Sequence, residues 1–159
     1  MINEPTAASI AYRTLGDSAD FEEEMKNVLV FDFGGGTLDV SVLCVSDFSV
    51  EVCATTGDTR MGGRDFDEAV VDHCEKRLVD EHGGLVLEDP ASKEQLRDAC
   101  EKAKFALDAA DTATIQLNNV NGEDGRTVEM TLTREQFDGV IAQFEEKYLA
   151  PVTQALTDA

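Results

Sequence analysis

Positive charge is scarce in this chain: thirteen Lys and Arg face thirty-three Asp and Glu, for a formal net charge of -20. So acidic a surface repels phosphate backbones and anionic membranes at long range, which argues against nucleic acid and membrane partners. Any nucleotide site here needs cations, from a metal ion or from basic groups supplied elsewhere. Cysteine is sparse and scattered. Cys44, Cys53, Cys74 and Cys100 form no CxxC pair, and His73 and His82 are not set among them at metal-ligand spacing. That spacing argues against a zinc site and favours buried free thiols in a reducing compartment. Neither a signal peptide nor a long apolar run is present, so the chain reads as soluble, with a cytoplasmic location expected. Repeats and low-complexity segments are also missing.

What is present suits a packed domain. At 159 residues and 42% hydrophobic, the chain can form one compact domain or two small subdomains sharing elements. Pro5 to Leu15 reads as a short helix stopped by Gly16, and residues 17–26 as an acidic connector. The nearly continuous apolar run at 27–33 predicts a strand buried on both faces. Residues 37–46 alternate, with Leu38, Val40, Val42 and Cys44 opposing Asp39, Ser41 and Leu43; residues 48–56 supply a third strand. Connections this short favour an antiparallel meander. From Asp65 the period becomes helical, through Phe66, Ala69, Val70, His73, Cys74 and Leu78. Pro90 and Ser92 open a second long helix to about Ala110, with Leu96, Ala99, Cys100, Ala103, Leu107 and Ala110 on its apolar side. Strands at 112–119 and 126–132 follow. Thr133 and Gln136 then form a capping box for a helix striped by Phe137, Val140, Ile141, Phe144 and Tyr148. Pro151 is expected to start a final turn or two rather than continue that helix.

The segment Asp32-Phe33-Gly34-Gly35-Gly36-Thr37-Leu38-Asp39 carries the most chemistry. Glycines at the tip of a strand–turn–strand let backbone N–H groups approach phosphate oxygens, and Thr37 adds a hydroxyl. Asp32 and Asp39 flank the turn on adjoining strands, so their carboxylates can converge on one magnesium ion or its waters. A Gly-rich hairpin with two solvated aspartates is the plainer alternative. A P-loop is excluded, because no Gly-Lys-Ser/Thr follows and the next element is a strand. Asp-Phe-Gly also occurs in kinases, but no HRD-type loop or VAIK-type strand accompanies it.

INEPTAA (2–8), DFGGGTLD (32–39), GDTRMGGRDFD (57–67) and CEKAKFALD (100–108) resemble, in order and spacing, blocks of the heat shock protein 70 chaperones. TREQFDGV and the closing PVTQALTDA look similar too, so the resemblance covers essentially the whole chain. It implies an α/β fold: the second lobe of an actin-like, ribonuclease-H-like ATPase domain that encloses Mg-ATP. In that reading a mixed sheet with flanking helices forms a basal subdomain (1–61 and 138–159), and 62–137 a smaller outer α+β subdomain. Met1 then reads as an initiator placed before a sequence that starts mid-element.

The resemblance further implies that Gly34, Gly35, Gly36 and Thr37 contact the β- and γ-phosphates of ATP or ADP. Asp32 would hold water around Mg2+, Glu4 would support the same shell, and Asp39 would orient the attacking water. Gly62 and Gly63 match the turn opening the outer subdomain near the nucleotide. Glu101, Lys104, Phe105 and Asp108 match the adenosine-facing helix, and their i, i+3, i+4, i+7 spacing puts them on one stripe. The plainer alternative there is an exposed ion pair between Glu101 and Lys104. Two departures stand out: Phe105 where many members stack an arginine on adenine, and Asp108 where serine is usual. The first phosphate loop, a catalytic lysine and a further magnesium-shell aspartate would lie in the first lobe. The implied partners are that lobe and the peptide-binding domain of the same protein, J-domain co-chaperones and nucleotide-exchange factors. Two other readings are a non-catalytic co-chaperone docking module and a ribonuclease-H-like nuclease. Net charge and too few carboxylates argue against the nuclease.

Overall fold

A computed structural model describes residues 3–15, 26–46, 49–123 and 126–159. The chain divides into two compact units, Met1–Gly63 with Glu145–Ala159, and Arg64–Phe144. The acidic connector expected at 17–26 lies outside the described residues apart from Lys26.

The first unit is built on three antiparallel strands in the order β1-β2-β3: β1 (Lys26–Phe33), β2 (Leu38–Val45) and β3 (Val50–Asp58). Their hairpin connections are too short to return a strand in parallel, so this sheet is a meander rather than the mixed sheet that the resemblance implied. Helix α1 (Glu4–Leu15) packs against β1 and β2, and α5 (Glu145–Asp158) against β2 and β3. In α1 the Asn3 carbonyl accepts the first helical bond from Ala7 N–H at 3.0 Å. Glu4 stands in its first turn, where a carboxylate favours the helix dipole.

Burial corrects the strand assignments. β1 is not buried on both faces: Leu29 and Phe31 are 39% and 44% exposed. It lies at an edge of the described sheet, paired to β2 alone, and Phe31 stacks on Phe33 at 6.1 Å. The doubly buried strand is β2, where Ser41 and Leu43 are as enclosed as Leu38, Val40 and Val42. A central strand covered by helices needs apolar residues on both sides, and Ser41 is accommodated by a 3.1 Å hydroxyl contact to Thr55.

The second unit contains α2 (Gly63–Glu81, from its second residue), α3 (Pro90–Ala106), the antiparallel pair β4 (Thr112–Leu117) and β5 (Val128–Thr133), and α4 (Arg134–Ile141). Val70, Cys74 and Leu78 of α2 meet Leu96, Cys100 and Ala103 of α3 and the inward residues Ile115, Leu117, Met130 and Leu132 in one core. Asp89 caps α3, accepting from Ala91 N–H at 2.8 Å and Ser92 N–H at 3.1 Å. Its other contact, the Ser92 hydroxyl, accepts in turn from Asn121 N–H at 2.9 Å. These bonds hold the Asp89 carboxyl below its ordinary pKa, the Ser92 hydroxyl foremost.

Other expectations need correcting. α3 stops at Ala106, and Ala110 is exposed beyond it rather than part of the apolar side. The stripe from Phe137 to Tyr148 does not lie on one helix, because a 3₁₀ turn at Ala142–Phe144 separates α4 from α5. Pro151 sits inside α5 and does not start it; the ring removes one amide donor, and the helix runs on to Asp158. Only Cys74 and Cys100 are buried, whereas Cys44 is half-buried and Cys53 exposed. Among the described residues no helix is long and apolar enough to cross a membrane.

The capping box at Thr133 is present in full. Gln136 N–H donates to Thr133 Oγ1 at 3.1 Å, and Thr133 N–H to Gln136 Oε1 at 3.0 Å. Thr133→Ala is expected to destabilise the second unit by about 1 kcal/mol, checked by urea denaturation, whereas Thr133→Ser should stay near wild type.

Candidate functional site

β1 and β2 meet in a register that pairs Asp32 with Asp39 and Phe33 with Leu38. Directly opposed residues of an antiparallel pair project from the same face, with Cβ atoms about 5 Å apart. The two carboxylates therefore share a face beside the turn, Asp32 half-buried and Asp39 exposed. On the next strand the partner of Asp39 is Gly57. A Cβ there would stand 2.3 Å from the Leu38 carbonyl oxygen and 3.3 Å from Asp39 Oδ1. The row Asp32–Asp39–Gly57 thus offers two acids beside a position that must stay empty of side chain.

The turn closes through Gly34 N–H donating to the Thr37 carbonyl at 2.9 Å. Thr37 Oγ1 lies 3.7 Å from where a Gly34 Cβ would be, and Gly35 faces open space with nothing within 4 Å of its Cβ position. The turn is braced from beneath: Gly63 N–H, at the start of α2, donates to the Gly34 carbonyl at 3.0 Å. Gly62 is buried, and its Cβ position falls 2.4 Å from Gly36 N and 2.6 Å from Gly35 C. Two glycine segments far apart in sequence are therefore one packed object, Gly34–Gly36 lying on Gly62–Gly63.

Glu4 is exposed in the first turn of α1, in the same unit. No group of three or more His, Cys, Asp or Glu side chains that could hold a metal occurs among the described residues. Magnesium does not require one, since it is commonly held by one or two carboxylates, retained waters and substrate phosphates. The paired acids Asp32 and Asp39 fit such an ion.

Glu101, Lys104, Phe105 and Asp108 belong to the second unit. Glu101 and Phe105 project from α3 into solvent, Phe105 being 68% exposed. Asp108 lies past the helix end, in a turn where its N–H donates to Phe105 O at 3.3 Å; it is near the helical stripe but not on the helix. Its carbonyl accepts from Arg134 at 3.3 Å. Lys104 forms its ion pair with Asp67 of α2, and the ammonium also lies 5.4 Å from the Phe105 ring centroid. The Glu101–Lys104 pair considered above is thus not the contact found.

The chain alone does not show the ion pair of Asp67 with Lys104 or the tight packing at Gly57. Both stand inside the segment 57–67, and their partners are set only by the fold. A protein-family model described as Hsp70 protein matches residues 1–159, the full sequence here, and the chain belongs to the Hsp70 family.

Proposed function

We propose that this chain forms the second lobe of the nucleotide-binding domain of an Hsp70 chaperone and supplies the phosphate half of its ATPase site. Full-length proteins of this family are ATPases that use ATP with Mg2+, and the mixed α/β architecture with two small sheets is consistent with their actin-like fold. The observation that carries the reading is the Asp32–Asp39 pair beside the turn seated on Gly62.

In this reading the amides of Gly34, Gly35 and Gly36 and the Thr37 hydroxyl contact the β- and γ-phosphates. Asp32, with Glu4, orders water around a magnesium ion, whose charge offsets that of the phosphates. Asp39 orients the attacking water. Lys104, Phe105, Glu101 and Asp108 face the adenosine, with the Phe105 ring stacking where the family more often uses arginine. The remaining cations come from the first lobe, as a chain of charge -20 requires. Client control, J-domain co-chaperones and nucleotide-exchange factors belong to the same proposal.

Alone, the chain is expected to bind Mg-ATP at roughly millimolar Kd, about -4 kcal/mol, with no turnover above background. Micromolar binding in calorimetry would overturn this. In the intact protein, Asp32→Asn and Thr37→Ala should each slow single-turnover hydrolysis by about tenfold or more. A second reading, a non-catalytic docking module, is favoured by the exposed Phe105 and acidic Asp108. Hydrolysis indifferent to both substitutions would support it.

A further inference from the structure

The β2–β3 hairpin carries a feature unrelated to nucleotide. Along it Cys44 pairs with Glu51, Leu43 with Val52 and Val42 with Ala54, so the register shifts between Val42 and Leu43. Cys53 is the extra residue of the bulge, free of a register partner on β2. Its Sγ turns back toward Glu51, 4.0 Å from that carbonyl oxygen, and Glu51 is the residue opposite Cys44. The Cys53 thiol lies near enough to Cys44 to raise its pKa. Cys53 is exposed and Cys44 half-buried, whereas the other pair, Cys74 and Cys100, is enclosed in the core of the second unit.

We infer that Cys44 and Cys53 form a peroxide-sensitive dithiol, a modification site at the end of the hairpin opposite the phosphate turn, which oxidises to an intramolecular disulfide. Exposure makes Cys53 the point of attack. Its thiolate takes one oxygen of hydrogen peroxide; the O–O bond breaks, a sulfenic acid forms, and the other oxygen leaves as water after protonation. The Cys44 thiolate then attacks the sulfenic sulfur, the S–O bond breaks, and a second water leaves. Two thiols are oxidised and one peroxide is reduced to two waters. Partial burial and the adjacent Cys53 raise the Cys44 pKa, which suits it to the second step rather than the first. β3 is an edge of the described sheet, and a bulged edge strand can shift to reach disulfide geometry.

The test treats the folded chain with hydrogen peroxide, alkylates remaining thiols and maps peptides by mass. Expected is a species lighter by two hydrogens, its Cys44 and Cys53 peptides joined and separated again by dithiothreitol, with Cys74 and Cys100 alkylated only after unfolding. Cys44→Ser should leave Cys53 as a sulfenic acid trapped by dimedone, and Cys53→Ser should leave Cys44 reduced; circular dichroism checks that both variants fold. Cys53 oxidised while Cys44 remains alkylatable, a Cys53–Cys53 dimer between molecules, or four unreacted thiols would each overturn the inference.

Discussion

Gly62→Ala is expected to destabilise the first unit by about 1–3 kcal/mol, the range for forcing atoms into a filled space, and to push the phosphate turn out of place. The added Cβ would meet Gly36 N at 2.4 Å and Gly35 C and Gly36 Cα at 2.6 Å. All three are backbone atoms, so no side chain can rotate away. Relief requires moving either the turn or the start of α2, which also breaks the 3.0 Å bond from Gly63 N–H to the Gly34 carbonyl. Gly35→Ala is the matched control, because its Cβ would meet nothing within 4 Å. That variant should lie within about 0.5 kcal/mol of wild type. Thermal and urea denaturation of both variants, with Mg-ATP affinity measured in the intact protein, provides the check. Equal stability of the two would show that the glycine-on-glycine packing does not hold the turn.

Leu96→Ala should cost the second unit about 2–5 kcal/mol, the largest stability loss expected of any single substitution considered. Leu96 is fully buried on α3, in the core formed with α2, β4 and β5. Truncation removes apolar contact and leaves a cavity between elements that are held apart by backbone spacing and cannot simply collapse. Val86→Ala, at an exposed position, should change stability by about 0.5 kcal/mol or less. Urea midpoints and amide exchange in α3, β4 and β5 would distinguish them. A Leu96→Ala midpoint equal to that of Val86→Ala would mean that this core does not carry the unit.

Much of this protein was legible in the chain because local rules suffice for it. The short link from Phe33 to Leu38 admits only a hairpin, so the Asp32–Asp39 juxtaposition follows from spacing. The Thr133–Gln136 box and the Pro90 helix start are likewise set by hydrogen bonds within a few residues of each other. Burial was less legible. Apolar content suggested that β1 was the enclosed strand, but enclosure depends on which strand has neighbours on both sides, and that is β2. Helix ends were also misjudged at Ala110 and Pro151, since alanine permits a helix without requiring it and one missing donor does not break a helix that is otherwise packed.

Sequence alone was enough for the order of elements, the antiparallel meander, the acid pair at the glycine turn and the resemblance to one chaperone family. Each is a matter of spacing along a single stretch, or of blocks in a given order. The tertiary structure decided the rest: that Gly62 must lack a side chain because Gly36 N lies 2.4 Å from its Cβ position, that Gly57 must lack one because the Leu38 carbonyl lies 2.3 Å from its own, that Lys104 answers to Asp67, and that Cys53 lies near Cys44. Such contacts join residues distant in the chain, and they exist only after packing has selected one arrangement from the many that the same local preferences allow.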